Sequence, residues 1–421
     1  MAIQGLIGTG DLGTNALVGS YSEERPLNWR QGILMRYPNG HAPLTALTSV
    51  MKKKMTDDPL FHWWEREVSN VRLELGADIA DEAGPSTWTI TPHADFGGGY
   101  QVKAGDLILV EESGEIVQVS SVTSDTVIVV TRDWGTALGD TPAVDYDGAT
   151  VNPYLLIIGS AYEEGAGTPE SIRYRPSKMY NYTQIFRDSL KATRTAMQTR
   201  LRTVDEVRDA KQQALLYHSI RMEYAFIHGV RYEGTGSGGE PIRSTGGVVS
   251  VIPAANIIDL AGTALDMETF EAYMLEAFRF GSQEKIGFVG NRALMGFVQM
   301  ARRNASIEIT PVQREFGMDI RRFFTPYGTI VLKMHPLFNQ VQSQIITDDT
   351  FYGMDAWALI MDMADLVYRP LKNSDTQYLP DRQDNGVDGL TSEYLTECGL
   401  EVHNGKHHFL LKGLAAGAAD S

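Results

Sequence analysis

The stretch 198–229, QTRLRTVDEVRDAKQQALLYHSIRMEYAFIHG, predicts one helix of unusual length. Thr203 and Glu206 form a capping box, in which each side chain satisfies a backbone N–H of the first turn. The helix is therefore predicted over 203–229, with Gly229 in the left-handed conformation just past its end. At about 1.5 Å per residue, about 25 residues span roughly 38 Å, twice the length of an ordinary globular helix.

Two kinds of side chain alternate along this predicted helix. One set is apolar and recurs every three or four residues: Val207, Ala210, Ala214, Tyr217, Ile220, Tyr224 and Ile227. The other set is polar: Arg208, Asp209, Lys211, Gln212, Arg221 and Glu223. This pattern predicts an amphipathic helix that buries the first set and exposes the second.

Composition limits the class of protein. A chain of 421 residues with 43% hydrophobic content can bury a sizeable core, in two or three domains or in one elaborated domain. The single cysteine, Cys398, excludes an intramolecular disulfide. The first thirty residues lack a signal-peptide pattern, and no apolar run approaches the ~20 residues that cross a bilayer. We therefore expect synthesis in a cytoplasm and no membrane partner.

The charge balance argues against nucleic-acid binding over a broad surface. Lys and Arg number 37 and Asp and Glu number 53, so the net charge is −16. Such a charge opposes adventitious binding to DNA or to anionic membranes.

Residues 1–68 are predicted to form an arm. Glycines and prolines interrupt any helical or strand period in the first forty residues and just beyond: Gly5, Gly8, Gly10, Gly13, Pro26, Pro38 and Pro43. We expect a short helix over 44–55, because Lys52, Lys53 and Lys54 suit the negative end of a helix dipole. The aromatic cluster within 61–64 predicts an anchor into a groove.

A small all-β module is predicted within 84–158. Short β-branched runs are separated by turn residues at 87–90, 106–110, 115–119, 126–130 and 154–158. The polar segment 161–193 has strand-like aromatic spacing, and it predicts the return limb of a long hairpin that carries the module.

The rest of the chain mixes helices and strands. A loop with six glycines is predicted over 232–247, and helices over 266–280 and 291–303. Strands are predicted at 286–289, 329–334, 356–361, 365–368, 394–402 and 408–414. Because no regular strand–helix–strand alternation is present, the fold class is predicted to be α+β.

Two glycine runs are candidate phosphate-binding loops. Gly8-Thr9-Gly10-Asp11-Leu12-Gly13 has the spacing of a dinucleotide-binding motif. Only residues 2–7 precede it, however, and no helix pattern follows before Pro26, so we favour a flexible arm. The run 234–239 lacks the Lys-Ser/Thr of a phosphate-binding loop, so we interpret it as a plain loop.

Other polar clusters have structural interpretations. His403, His407 and His408 lack a Cys or Asp at ligand spacing, and on a strand His408 would point away from the other two. Cys398 is interpreted as a small buried residue. Adjacent carboxylates at Glu111-Glu112, Glu163-Glu164 and Asp348-Asp349 fall at turns. The sequence therefore predicts no catalytic, cofactor-binding or metal-binding residue.

Several motifs resemble the major capsid proteins of tailed bacteriophages, in the branch whose extended loop carries an inserted β module. The likeness covers roughly 59–414 and is carried by FHWWE at 61–65, AGDL at 104–107, TRDWGT at 131–136, EEG at 163–165, YNYTQIF at 180–186, the long helix with His218 and Glu223, YLTE at 394–397 and GLEV at 399–402.

This resemblance implies a domain plan. It consists of an N-terminal arm over 1–68 and an extended loop, the E-loop, over 69–192 with the β module at about 84–158. A peripheral P domain follows over 193–264, built on the spine helix 203–229. An A domain covers 265–361, and closing strands of the P and A domains cover 362–421.

The resemblance also implies function and partners. Such proteins self-assemble as hexamers and pentamers into an icosahedral shell that encloses double-stranded DNA without sequence-specific binding. Portal, scaffold and decoration proteins are the implied partners. No heptad run precedes Pro43, so any scaffold is expected to be a separate protein. Assembly in the host cytoplasm and residence in the virion follow.

Two other classes remain open at this stage. Another phage structural protein, such as a tail-tube or decoration protein, would centre on the β module rather than on the long helix. A nucleotide-dependent enzyme would use the loop at 8–13, and a nucleotide would then stabilise it against heat.

Overall fold

The computed structural model describes residues 51–66, 72–77, 85–91, 101–132, 134–135, 154–169, 171, 176–199, 206–303, 313–315, 318–339 and 353–414. The chain divides into two compact units. Unit 1 comprises Met1–His62 and Tyr180–Ser421, and unit 2 comprises Trp63–Met179. Among the described helices, none has both the length and the apolar character needed to cross a membrane.

Strands outnumber helices in the described residues. The strands are β1 (Lys52–Lys53), β2 (Leu60–Glu65), β3 (Arg72–Leu75), β4 (Pro85–Thr91), β5 (Asp106–Val110), β6 (Ile116–Ser124), β7 (Val127–Thr131), β8 (Tyr154–Ser160), β9 (Ser177–Tyr182), β10 (Gln184–Thr193), β11 (Tyr232–Thr235), β12 (Pro241–Ser244), β13 (Ile257–Asp259), β14 (Glu284–Val289), β15 (Gln313–Glu315), β16 (Met318–Thr325), β17 (Gly328–Met334), β18 (Ala358–Met361), β19 (Leu366–Pro370), β20 (Gln377–Leu379), β21 (Gly389–Val402) and β22 (Phe409–Lys412). The α-helices are α1 (Arg194–Gln198), α2 (Glu206–His228), α3 (Met267–Phe278) and α4 (Asn291–Arg303). The α+β prediction is confirmed.

Unit 2 contains a closed barrel in the strand order β3-β4-β7-β6-β5-β8, and β8 pairs back onto β3. Buried and less buried side chains alternate along β3, β5 and β7, so every second residue of these strands points into the barrel. The core consists of Leu73, Leu75, Trp88, Ile90, Val102, Ile108, Val110, Val117, Val119, Ile128, Val130 and Leu155. The five strands predicted from β-branched runs correspond to β4 through β8. The sequence missed β3, which is only four residues long.

The first sheet of unit 1 has the order β1-β19-β21-β10, and β20 also pairs with β21. The β10–β21 pairing is antiparallel over ten residues, from Gln184 opposite Cys398 to Thr193 opposite Gly389. Alternate residues of β10 are buried, including Phe186 and Leu190. The buried side belongs to the same core as Met222, Phe226 and Ile227 of α2.

The second sheet of unit 1 has seven strands in the order β13-β22-β18-β14-β17-β16-β15. Helices α3 and α4 pack against it around an aromatic cluster. The Phe270 ring lies 5.7 Å from the Phe297 ring and 5.4 Å from the Phe323 ring, both in edge-on geometry. The predicted helices 266–280 and 291–303 are confirmed by α3 and α4, and the strands predicted at 286–289, 329–334, 356–361 and 408–414 are confirmed by β14, β17, β18 and β22. The strands β13, β15 and β16 were not predicted.

The long helix α2 has 23 residues, as the apolar spacing predicted. Its predicted capping box at Thr203 and Glu206 lies outside the residues whose side chains are described. The predicted division into two faces was partly wrong, since Tyr217 is exposed whereas His218 and Glu223 are buried. These two polar residues face the core because each has a buried partner there, which the local pattern does not reveal.

Gly229 does not adopt the predicted left-handed conformation, since its backbone φ angle is not positive. Glycine is required there by crowding. A Cβ would lie 2.3 Å from the carbonyl oxygen of Ala225 and 2.4 Å from that of Thr245. The chain after α2 therefore passes closer to the helix end than any side chain allows.

Two further predictions were wrong. Within the predicted helix 44–55, Lys52–Lys53 forms β1, which pairs in parallel with β19. Within the predicted loop 232–247, β11 and β12 form an antiparallel hairpin. In both cases strand pairing within the fold overrides a weak local preference.

In the predicted aromatic cluster Phe61 is the buried side chain, whereas Trp63 is half-buried. Phe61 is buried, and the Arg369 guanidinium lies 5.0 Å from its ring centroid. A Cβ at Gly399 would lie 2.8 Å from the same ring, so glycine there makes room for it. Trp64, on the same strand, is exposed.

Candidate functional sites

His218 of α2 links the helix to the first sheet. Its Nδ1 lies 2.9 Å from Asp188 Oδ2 on β10, and its Nε2 lies 2.7 Å from Thr396 Oγ1 on β21. The order carboxylate, imidazole, hydroxyl is that of a hydrolytic triad. However, all three residues are buried, and the Thr396 hydroxyl donates to Thr376. The group therefore holds the helix to the sheet and leaves a substrate no access.

Glu223 of α2 links the helix to the second sheet. Its Oε1 accepts from Nε2 of His335, just after β17, at 2.8 Å, and neither side chain is exposed. The ring of His335 stacks on Phe338, with centroids 4.4 Å apart and planes 19° apart. Nδ1 of His335 accepts from the backbone N–H of Leu337, which fixes the tautomer that donates to Glu223.

Asp362, Asp365 and His407 form a third polar group. Their candidate ligand atoms lie within 4.8 Å of one another. His407 Nδ1 contacts Asp365, whereas both oxygens of Asp362 accept backbone N–H groups, from Ser282 at 2.7 Å and Ala364 at 3.0 Å. Burial alone would raise the pKa of Asp362, but these hydrogen bonds and the nearby Lys285 charge hold it below its usual range.

The carboxylates of Asp362 and Asp365 interact electrostatically with a buried cation, the ammonium group of Lys285. Lys285 of β14 is fully buried and its Nζ donates to the carbonyl oxygens of Ala277, Phe280 and His407 at 2.7, 2.9 and 2.7 Å. Burial lowers the pKa of Lys285 to about 8, although the carboxylates of Asp362 and Asp365 oppose that shift. A metal ion would add positive charge beside this ammonium, so the group is interpreted as structural.

The three histidines near the C-terminus do not share a strand. His403 pairs with Glu401, and His407 lies in a 3-10 turn, Gly405–His407. His408 is buried, and burial lowers its pKa to about 4. No local pattern predicts Asp362 and Asp365 as neighbours of His407, because they lie more than forty residues earlier in the chain.

The environments of the other candidate residues from the sequence indicate structural or solvent-exposed roles. Cys398 is buried, and burial raises its pKa to about 12, so it is a poor nucleophile. Glu111 pairs with Arg72, and Glu163 and Glu164 are exposed. The motif 8–13 and Asp348-Asp349 lie outside the described residues.

The negative charge of the chain is concentrated in unit 2. Residues 63–179 carry 7 Lys and Arg against 19 Asp and Glu, a net charge of −12 out of −16. The remainder of the chain therefore carries only −4.

Comparison with known proteins gives the family. The model of the SU10 major capsid protein family matches residues 20–415. The chain belongs to this family. The resemblance to phage major capsid proteins drawn from the sequence motifs is thereby confirmed, and this capsid protein is a subunit of a phage shell and hence a virion component.

Individual relatives of the capsid protein are distant. The major capsid protein of Pseudomonas phage PaMx41 is 23% identical in an alignment of 319 residues, and the alignment covers 73% of this chain and 72% of that protein. The capsid of a native GTA particle covers 96% of this chain and 100% of its own at 9% identity and a TM-score of 0.43. The similarity to the Mycobacterium phage Adephagia structure covers 95% of this chain and 94% of that chain, at 8% identity and a TM-score of 0.42.

Proposed function

We propose that this capsid protein self-assembles as hexamers and pentamers into an icosahedral shell around double-stranded DNA of a tailed phage. The subunit is divided as the motifs imply, with an N-terminal arm over 1–68 and an E-loop over 69–192 that carries the module at about 84–158. The P domain then covers 193–264 with its spine helix 203–229. The A domain covers 265–361, and closing strands cover 362–421.

The observation that carries this proposal is the double attachment of α2. His218 ties the helix to the first sheet, through Asp188 and Thr396, and Glu223 ties it to the second, through His335. Buried hydrogen-bonded groups of this kind are costly to break. A body braced in this way keeps its shape while identical surfaces meet at slightly different angles, as closed shells require.

The proposed role is structural and not enzymatic. In the described residues, the group with triad-like order is buried, and the cysteine thiol is buried as well. The net charge of −16 favours a container that does not bind its DNA tightly. Portal, separate scaffold and decoration proteins are the proposed partners, and assembly is proposed to occur in the host cytoplasm.

Negative-stain electron microscopy of the purified chain, with its sedimentation profile, tests the proposal. Rings of five or six subunits, or shells, are the expected result. The same measurement is repeated with the phage scaffold supplied, because assembly in this class can require it. Material that stays small and monodisperse under both conditions contradicts the proposal.

A further inference from the structure

The hairpin after α2 presents an exposed apolar face. We call residues 230–244 the ribbon. The register places Tyr232 opposite Ser244 and Gly234 opposite Ile242, so these four residues share one face. A Cβ at Gly234 would lie 2.3 Å from the Tyr232 hydroxyl oxygen, so the ring lies across Gly234. Tyr232 is 60% exposed and Ile242 56%. A two-stranded ribbon is marginally stable alone, so this uncovered face indicates a missing contact.

The ribbon is held firmly at its base. The backbone N–H of Thr245 donates to Gln184 Oε1 at 3.1 Å, and that of Gly246 donates to Asn181 Oδ1 at 2.8 Å. The Arg231 guanidinium donates to the carbonyl oxygen of Tyr180 at 2.9 Å and lies over its ring. The apolar face is therefore presented in a fixed position, which lowers the entropic cost of binding.

The ribbon is electrically neutral in an acidic chain. Its charged residues are Arg231, Glu233, Glu240 and Arg243, two of each sign. Glu233 and Arg243 pair with each other at 2.7 Å on the opposite face. Two copies of a chain with net charge −16 repel wherever their acidic surfaces meet, so a neutral apolar face is where like copies can approach.

From these observations we infer that the Tyr232–Ile242 face of the ribbon is an assembly contact covered by a second copy of this chain. The inference rests on the proposed self-assembly and adds the surface that it uses. The turn Gly236-Ser237-Gly238-Gly239 carries almost no side-chain bulk, so a neighbouring copy can lie close to the ribbon.

Ile242→Asp is compared with Val387→Asp in the full chain. Val387 is 57% exposed and lies outside the ribbon, so each variant replaces a β-branched apolar side chain by aspartate at nearly equal exposure. Both unassembled subunits are expected to melt like the wild type. Ile242→Asp is expected to lower the assembled fraction at least tenfold, and Val387→Asp less than twofold. Equal assembly of the two variants overturns the inference. Failure of the wild type itself to assemble, both alone and with the phage scaffold supplied, contradicts the proposed function instead.

Photocrosslinking identifies the occupant even if Ile242→Asp fails to fold. Tyr232 is replaced by p-benzoylphenylalanine, which keeps an aromatic ring at this position, and particles purified from infected cells are irradiated. An adduct at twice the 46.5 kDa chain mass, with both peptides from this chain, is the expected result. An adduct with another protein, an internal adduct to residues 1–50, or no adduct overturns the inference.

Discussion

His335 Nε2 and Glu223 Oε1 lie 2.8 Å apart with neither side chain exposed, and they join the long helix α2 to the end of β17. The residues are 112 positions apart in sequence. A buried ion pair or hydrogen-bonded pair of this kind contributes little net stability when it is intact. Removal of one member is nevertheless destabilising, because the other member stays buried without that hydrogen bond. The pair therefore fixes how the helix and the second sheet are joined.

Replacing His335 by alanine is expected to cost about 3 kcal/mol of unfolding free energy, because Glu223 loses its imidazole donor inside the core. The stacked contact with Phe338 is lost as well. Urea unfolding of the unassembled subunit measures the change. Arg221→Ala is the control, since Arg221 lies on the same helix and pairs with Asp188, but its side chain is 64% exposed. The control should lose at most about 1 kcal/mol, and equal losses would contradict this explanation.

Gly229→Ala is expected to destabilise the fold by about 2 kcal/mol, since the added methyl group overlaps two backbone carbonyl oxygens that cannot move independently. Gly238→Ala is the matched control. A Cβ there meets nothing within 4 Å, so its effect should stay within about 0.5 kcal/mol. Thermal unfolding of both variants measures the difference. A Gly229→Ala variant as stable as Gly238→Ala would show that the chain relaxes at this position.

The sequence predicted the elements whose periodicity is long or strong. Helix α4 was predicted with its observed bounds, and the 23 residues of α2 lie within the predicted 203–229. Short paired elements were missed or misassigned, because β1 and β11 have weak local preferences and form only through their partners. The domain boundaries stay a prediction.

The polar contacts could not be predicted from the sequence for a related reason. Asp188, His218 and Thr396 come together from three distant segments, and only β10–β21 register and helix packing place them within hydrogen-bond distance. Glu223 was assigned to the exposed side of α2 because charged residues are rarely buried without a partner, and its partner lies in another sheet.

Acid is expected to weaken the fold through His408. Burial is the main cause that lowers the pKa of His408, to about 4. The charges of Lys285 and His407 also lower this pKa, whereas those of Asp365 and Asp362 raise it. In the unfolded chain its pKa is about 6.5, so between pH 6.5 and 4 the unfolded state binds the extra proton. The contribution of His408 to the free energy of unfolding is therefore fully present above pH 6.5. It is lost as the pH falls towards 4, by about 3 kcal/mol in total.

Urea unfolding of the wild type and of His408→Gln at pH 7, 5.5 and 4.5 tests this expectation. The glutamine variant should show a weaker dependence of stability on pH across that range, because it cannot take up the proton. Titrating groups remote from His408 contribute equally to both proteins and cancel in the difference. What remains is the titration of His408 together with the nearby groups that interact with it, Asp362, Asp365, Lys285 and His407. Parallel curves would mean that His408 does not titrate between the folded and unfolded states as its burial implies.

The barrel of unit 2 contains its own buried ion pair. Arg132 Nε and one terminal nitrogen donate to the two oxygens of Glu115 at 3.0 and 2.6 Å, and the side chains are 0% and 3% exposed. Arg132 belongs to the TRDWGT motif that contributed to the family resemblance. Its burial directly after β7, in a bidentate pair with Glu115, gives that motif residue a structural role.

Arg132→Met is expected to destabilise the barrel by about 3 kcal/mol, because it leaves Glu115 buried without its bidentate donor. Hydrogen exchange should then accelerate about a hundredfold for the amides of β6 and β7, while those of β21 in unit 1 serve as an internal control. The double variant Glu115→Leu/Arg132→Met should recover most of the protection, since two apolar side chains remove both buried charges together. If the double variant exchanges as fast as Arg132→Met, the loss comes from packing around Arg132 rather than from the stranded carboxylate, and the ion-pair explanation is wrong.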